Sequence, residues 1–442
     1  MLRTQAKRAG VIAMAVIVLC SLTLSLSAWA EMLIETNDGR RIVIPVEERD
    51  IASITFRRAK IDARSAEQAL ADNRARASGR ILEVGPDGQF TRPSEAARAA
   101  KDGDTVTIAA GIYPGDVAVW KANDLTIQGV GGLADIRANG RHAQGKGIWV
   151  IRGSNVVIEN VKLSGAVVPD HNGAGIRFEG TNLTLRHSVF TGNQTGLLTA
   201  NNPNSDIIIE NCLFDRNWFD FEAVKAKGVH NMYIGKANSF TLRGSHIVGN
   251  RFGHNVKSRA RLNIIEYNLI EDGSDGFASY QIDLPNGGDI LLKGNVIHQS
   301  ERAKNYSIIS IGTRPDQVDS STKMAIVYNT LINDLDRGTF INNRAGQPVL
   351  VAGNIFVGAG KPIDGRHEDG GNVSGNRRDF IEADGGIWRP RPDGSWSDLS
   401  GLPTTYGPFS LVPEWEYAHP SALKQRARKD EHADAGAFEA PS

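Results

Sequence analysis

The sequence predicts an all-β chain wound as a parallel β-helix, on three observations. A phrase recurs imperfectly from about residue 120 to residue 357, reading polar, apolar, x, apolar, x, Asn or Gly, x, x, apolar. Asn155-Val-Val-Ile-Glu-Asn-Val-Lys-Leu163, Asn182-Leu-Thr-Leu-Arg-His-Ser-Val-Phe190 and Asp206-Ile-Ile-Ile-Glu-Asn-Cys-Leu-Phe214 are three copies. The position two before the closing apolar residue falls at 161, 188, 212, 245, 268, 295, 329 and 354, so the units are 23 to 34 residues apart. Alternating units at that period stack as parallel strands, coil on coil. The units are also rich in Val, Ile, Thr, Asn and Gly, with no leucine lattice and no helical half-repeat, which sets a leucine-rich repeat aside. Asn268, Asn295, Asn329 and Asn354 share one column, as amides hydrogen-bonded along a stack at a turn do.

Taken in order, residues 1–30 read as a secretory signal peptide. Arg3, Lys7 and Arg8 precede an apolar run from Val11 to about Leu26, and Ala28-Trp29-Ala30 offers a small-x-small cleavage site. An uncleaved anchor is the alternative, but the run is short for a membrane span. Residues 31–57 read as a small hairpin turning at Asn37-Asp38-Gly39, and 58–80 as a linker. Residues 81–360 are the β-helix, about nine or ten coils with an N-terminal helical cap at Pro93–Ala100, and 361–442 are a capping segment expected to lie back along the solenoid.

Removing the signal leaves 47 basic against 50 acidic residues. That balance argues against nucleic acid as a partner but permits a local basic cleft. Cys212 is the one cysteine outside the signal, so no intramolecular disulfide is possible; it occupies a core-type position.

The helix, Gly103-Asp-Thr105, the following strand and Gly111-Ile-Tyr113 resemble the N-terminal cap of pectate-lyase-like right-handed β-helices. Asp434-Ala-Gly-Ala-Phe-Glu439 is similar to the end signature of that superfamily. The resemblance implies a right-handed helix and leaves the activity open, since the superfamily includes lyases, hydrolases, epimerases and phage tailspikes.

The other strand of each coil aligns as Ala174-Gly-Ile-Arg177, Gly196-Leu-Leu-Thr199, His230-Asn-Met-Tyr233, His254-Asn-Val-Lys257 and Tyr280-Gln-Ile-Asp283. Ile176, Leu198, Met232, Val256 and Ile282 are expected inside. Alternation then puts Arg177, Thr199, Tyr233, Lys257 and Asp283 in one outward column, and Gly175, Leu197, Asn231, Asn255 and Gln281 in a second. Coils lie roughly 4.8 Å apart, so Tyr233, Lys257 and Asp283 should be neighbours. His230, His254 and Tyr280 stand just before the strands, Arg259 follows Lys257 on the outward parity, and Trp218 and Phe219 offer rings that can stack on sugars.

This is the inventory of a β-elimination on a uronate, which needs a cation for the C6 carboxylate, a base for the C5 proton and an acid for the leaving oxygen. Candidate catalytic residues are Lys257, Tyr233, Asp283, Arg259, His230 and His254. Candidate substrate-binding residues are Arg177, Asn231, Asn255, Tyr280, Gln281 and Trp218. Asn255-Val-Lys257-Ser258 followed by Tyr267-Asn268 resembles the chondroitinase-B and alginate lyase family, which implies Lys257 as base. Asp283 stands where that family places an arginine, and its acidic calcium motif has no match, so neither arginine nor metal is carried over. Neighbour electrostatics favour Tyr233 as base with Lys257 stabilising its anion, and the roles stay open between the two.

The expected function is thus an exported lyase acting on an acidic polysaccharide, with no cofactor, no stable membrane insertion after signal cleavage, and an open oligomeric state. A hydrolase would need two carboxylates about 5 to 9.5 Å apart. An epimerase would use nearly the same residues, and a non-catalytic polysaccharide-binding or export scaffold would need the aromatic rings alone. A Tyr, Lys and Asp ladder is also what a solvated face with a weak surface ion pair looks like.

Overall fold

The computed structural model describes strands at 16–18, 29–35 and 41–47, and residues 79–440 apart from 220–229, 315–321, 384–386, 393–395, 397–400 and 428–431. The chain divides into two units, 1–74 and 75–442. In the first, Trp29–Glu35 pairs antiparallel with Arg41–Glu47, and Val16–Val18, within the apolar run, pairs antiparallel with Met32–Ile34. The expected turn at 37–39 and most of the linker lie outside the described residues.

The second unit begins with Ile81–Val84 and the helix Pro93–Ala99. Proline opens the helix, where its missing N–H costs nothing. The Glu95 carboxylate accepts from the backbone N–H of Thr91 and Arg92, at 2.9 and 3.2 Å. Ala96 and Ala97 are buried, and the helix lies against Ile81–Val84 and Ala118–Trp120 at the solenoid's start.

Each coil of the solenoid carries three strands. The first two faces merge into one parallel sheet, and the third is a separate sheet of ten parallel strands from Ala118–Trp120 to Lys361–Asp364. The recurrent phrase covers the first two strands and the bend between them. Its Asn or Gly position is left-handed in every coil from 160 to 353: φ is 55° at Asn160, 46° at His187, 53° at Asn211, 56° at Gly244, 55° at Tyr267, 66° at Gly294, 54° at Tyr328 and 64° at Gly353. Five of the eight are Asn or Gly, which adopt that region cheaply, while His187, Tyr267 and Tyr328 adopt it at greater cost.

The next residue points inward and builds a ladder. Asn268 Nδ2 donates to Asn295 Oδ1 (2.9 Å), Asn295 Nδ2 to Asn329 Oδ1 (2.8 Å) and Asn329 Nδ2 to Asn354 Oδ1 (3.0 Å), while each amide also caps a backbone carbonyl. Below it runs the apolar ladder. Ile158, Leu185, Ile209, Leu242, Ile265 and Leu292 pair in register from coil to coil and are fully buried, as their alternation predicts.

The winding continues one coil beyond residue 360, through Lys361–Asp364, His367–Gly370 and Val373–Gly375. Those strands are polar and largely exposed, so hydropathy gave no sign of them. The tail then packs along the second face. Phe380, Trp388, Trp396, Tyr417 and Phe438 cover Leu269, Val296, Ile332 and Ile355. Arg426 is buried, bonded to Glu439 at 2.6 Å and to the carbonyls of Asp434 and Gly436.

Candidate functional site

The third sheet positions the candidate residues, and its register differs from expectation in one strand. Thr195–Thr199 aligns Leu197 with Ile176 and Met232, and Leu198 with Arg177 and Tyr233. Leu197 is therefore the core residue, and Leu198, not Thr199, occupies the outward column. Two apolar residues in succession left the alternation there ambiguous.

The second outward column is also corrected. Asn231, Asn255 and Gln281 are fully buried. Asn217 Nδ2 donates to Asn231 Oδ1 (2.9 Å), Asn231 Nδ2 to Asn255 Oδ1 (2.7 Å) and Asn255 Nδ2 to Gln281 Oε1 (2.6 Å). They form a second internal amide ladder at the turn into the sheet. Parity fails where a strand leaves a turn, and amides with spare donors are satisfied only by pairing along the stack. No surface of these three residues faces a ligand.

The first column behaves as alternation predicts from Tyr233 onward. Tyr233 pairs with Lys257 and Lys257 with Asp283. Lys257 Nζ lies 2.9 Å from Asp283 Oδ2 and 5.6 Å from the centre of the Tyr233 ring. The pair is no loose surface contact: the Asp283 side chain is 5% exposed and that of Lys257 21%. Burial raises the Asp283 carboxyl, against the pull of Lys257 and, more weakly, of the Ser310 hydroxyl and Arg314.

The histidines stack beside this pair. His230 and His254 lie 4.7 Å apart, His254 and Tyr280 5.0 Å apart, and the edge of His230 meets Tyr233 at 5.5 Å. The His254 N–H donates to Nδ1 of His230 (2.9 Å), and the Tyr280 N–H donates to Nδ1 of His254 (3.3 Å). A ring nitrogen that accepts leaves the proton on Nε2. His254 Nε2 then directs its hydrogen at Asp283 Oδ2, 3.4 Å away. Burial and the Lys257 charge lower His254 to about 3, and burial, His254 and Lys257 together hold His230 well below the usual histidine range. Both rings are neutral with Nδ1 committed, which suits them to positioning rather than to proton transfer.

Arg259 lies on the outward parity after Lys257, and its Nε donates to Asn286 Oδ1 at 3.0 Å. It lines a groove of ≈ 440 Å³ at the sheet's downstream edge with Lys236, Arg261 and Asp289. Arg177 stands two strands before Tyr233, with Leu198 between them. At the upstream edge Trp218 packs under the Arg251 guanidinium, 4.5 Å from the ring centre, and His171 stacks on Phe219 at 4.5 Å.

Three polar residues were missed. Ser310 and Asn342 continue the outward column beyond Asp283, and Arg314 acts on the Asp283 carboxylate. Alternation within Ser307–Ile311 contains the signal for Ser310; nothing local marks Arg314.

A family model described as a right handed beta helix region matches residues 110–224. Among solved structures, pectate lyase Pel9A matches with a TM-score of 0.50 at 14% identity, over 82% of this chain and 97% of its own. The fold is a pectate-lyase-like right-handed parallel β-helix. The β-helix also matches the PL6 family alginate lyase AlyGC (TM-score 0.36, 13% identity, 77% of this chain and 60% of that one). A pectin methylesterase from Aspergillus niger matches with a TM-score of 0.29 at 12% identity, over 67% of this chain and 85% of that one. No match is found among curated proteins. At such identity the similarity concerns the fold of the β-helix, and its chemistry has to be argued from its own residues.

Proposed function

We propose that this chain is an exported, polysaccharide-active protein that cleaves a uronic-acid-containing polymer by β-elimination. The observation carrying the reading is the Lys257 ammonium, held between the Tyr233 ring and the Asp283 carboxylate on three adjacent strands. In this reading Tyr233 takes the C5 proton. The C5–H electrons form the C4–C5 double bond as the C4–O bond breaks, and Tyr280, beside His254, protonates the leaving oxygen. Lys257 stabilises the tyrosinate, Asp283 fixes Lys257, and His254 fixes Asp283. Arg259 takes the substrate carboxylate, since a planar guanidinium suits a carboxylate bidentately and charge on that group grows as the proton leaves.

Two details disfavour a hydrolase. Asp272 is buried, and its oxygens accept the N–H groups of Ala278 and Ser300, at 2.8 Å each. Asp275 is paired with Arg251. Both carboxylates are thus engaged elsewhere, which leaves the exposed Asp170 as the remaining candidate partner for Asp283. Among the described residues no helix is long and apolar enough to cross a membrane.

Incubation with polygalacturonate and alginate should release unsaturated uronates that absorb in the ultraviolet. Carboxyl-reduced polymers should give none. Lys257→Ala and Tyr233→Phe should each abolish turnover; Tyr233→Phe should leave the melting temperature unchanged, whereas Lys257→Ala should lower it, because it strands the buried Asp283 carboxylate. Equal cleavage of the reduced polymer would sink the lyase reading in favour of a hydrolase, epimerised product would indicate proton return without bond cleavage, and binding without reaction would indicate a scaffold.

A further inference from the structure

Upstream of the His254 stack, half-buried aromatic rings and cations form a second surface that the elimination chemistry does not use. Trp218, Phe252 and Phe277 come from the turns that lead into three successive strands of the third sheet. Phe252 meets Phe277 edge-on at 4.8 Å and Trp218 at 6.2 Å. Arg251 pairs in parallel with Phe277 across the coils, so this turn keeps the solenoid's register. Lys304 is exposed and extends its ammonium over both phenyl rings, 4.9 Å from the centre of Phe252 and 5.5 Å from that of Phe277.

The backbone at Phe252 departs from the conformations a bulky residue ordinarily adopts. Phe252 has φ of 70°, and the Gly253 N–H donates to Arg251 O at 2.9 Å across it. That is the strained form of the γ-turn, which a bulky residue rarely adopts. Strain of this kind persists where the surrounding structure over-determines it, commonly at ligand clamps. Here its effect is to keep a phenyl ring beside Phe277 and under Lys304, two residues before the histidine that contacts Asp283.

We infer that Trp218, Phe252 and Phe277, with Lys304 and Arg251, form a stacking platform for one acidic sugar of the polymer, a subsite upstream of the Tyr233, Lys257 and Asp283 centre. The aromatic faces take the apolar C–H face of the pyranose ring. Lys304 takes its carboxylate, a match of shape and charge that a neutral sugar does not complete. The platform rests on the uronate-polymer reading above and adds a length requirement: chains must reach from the centre to the platform to bind fully.

The test is affinity electrophoresis and calorimetry with polygalacturonate and alginate, and with their short oligomers, on a Lys257→Ala background so that no cleavage intervenes. Phe252→Gly should weaken polymer binding roughly tenfold with only a small change in melting temperature, because the left-handed backbone that glycine accepts without strain offsets part of the packing lost with the ring. Lys304→Gln, at an exposed position, should weaken binding to native polymer and leave binding to carboxyl-reduced polymer unchanged. In the cleaving enzyme both substitutions should raise KM for polymer and leave kcat alone. Unchanged affinity in both variants overturns the platform even if the enzyme proves to be a lyase, as does absence of binding to either polymer. Affinity lost in both variants of a protein that never cleaves keeps the platform and rejects the lyase. A drop in melting temperature with unchanged affinity in Phe252→Gly shows that the ring packs for the fold and overturns it equally.

Discussion

His254 accepts a backbone N–H at Nδ1, faces Asp283 through Nε2, and is lowered to about 3 by burial and the Lys257 charge. A histidine that refuses a proton in the folded state still binds one when unfolded, near its ordinary value of about 6.5. The unfolded chain therefore carries more protons between those two values, and stability must fall as pH falls through that window. His230 works in the same direction. Asp283, whose carboxyl burial raises, works in the opposite direction. Between pH 7 and pH 5 each histidine contributes a slope approaching on the order of 1 kcal/mol per pH unit. Denaturant titrations at pH 7 and pH 5 should show a smaller loss for His254→Gln than for wild type; an equal loss would mean that His254 protonates freely when folded. None of this was legible in the sequence. Composition and spacing placed the two histidines near the column, but their tautomer and charge follow from backbone donors and burial that only the coil geometry supplies.

At the scale of the strand and its bend, legibility was high wherever one residue type fills one position in every coil. The amide column at 268, 295, 329 and 354 and the core ladder from Ile158 to Leu292 are of that kind, because a slip of one residue would turn every side chain to the wrong face. It was low at the mouth of the third sheet. There Asn231, Asn255 and Gln281 look like an outward column until the turn rotates them inside. Asn295 tests the element directly. It is fully buried, gives hydrogen bonds to Ile265 O and Asn329 Oδ1, and receives them from the backbone N–H and Nδ2 of Asn268. Asn295→Ala strands those partners at roughly 1–3 kcal/mol for each group that water cannot reach. Equilibrium unfolding should show a loss of several kcal/mol, and a change of under about 1 kcal/mol would show that the ladder is ornamental.

Residues 75–442 form a stack in which each coil touches its neighbours, strapped along the second face by its own tail. The tail crosses many coils at once: Lys293 Nζ bonds Ser410 O, the Glu414 N–H bonds the Tyr267 hydroxyl, and the Ala437 N–H bonds Thr330 Oγ1. Its sequence announced a cap through Asp434-Ala-Gly-Ala-Phe-Glu439, but not which coils it would bind, since its anchors carry no period. Cys212, embedded between coils at the centre of the stack, gives this arrangement a clock. Its thiol is fully buried and pushed up to about 12, so thiol reagents cannot reach or activate it while the coils stay closed. In a Cys20→Ser background the rate at which such a reagent labels Cys212 is therefore the rate at which the stack parts at its middle, read from one atom. Labelling should be slow in buffer and should accelerate sharply when Arg426→Ala loosens the tail; labelling at the rate of a free thiol would mean that the coils part continually and that the strap holds nothing shut.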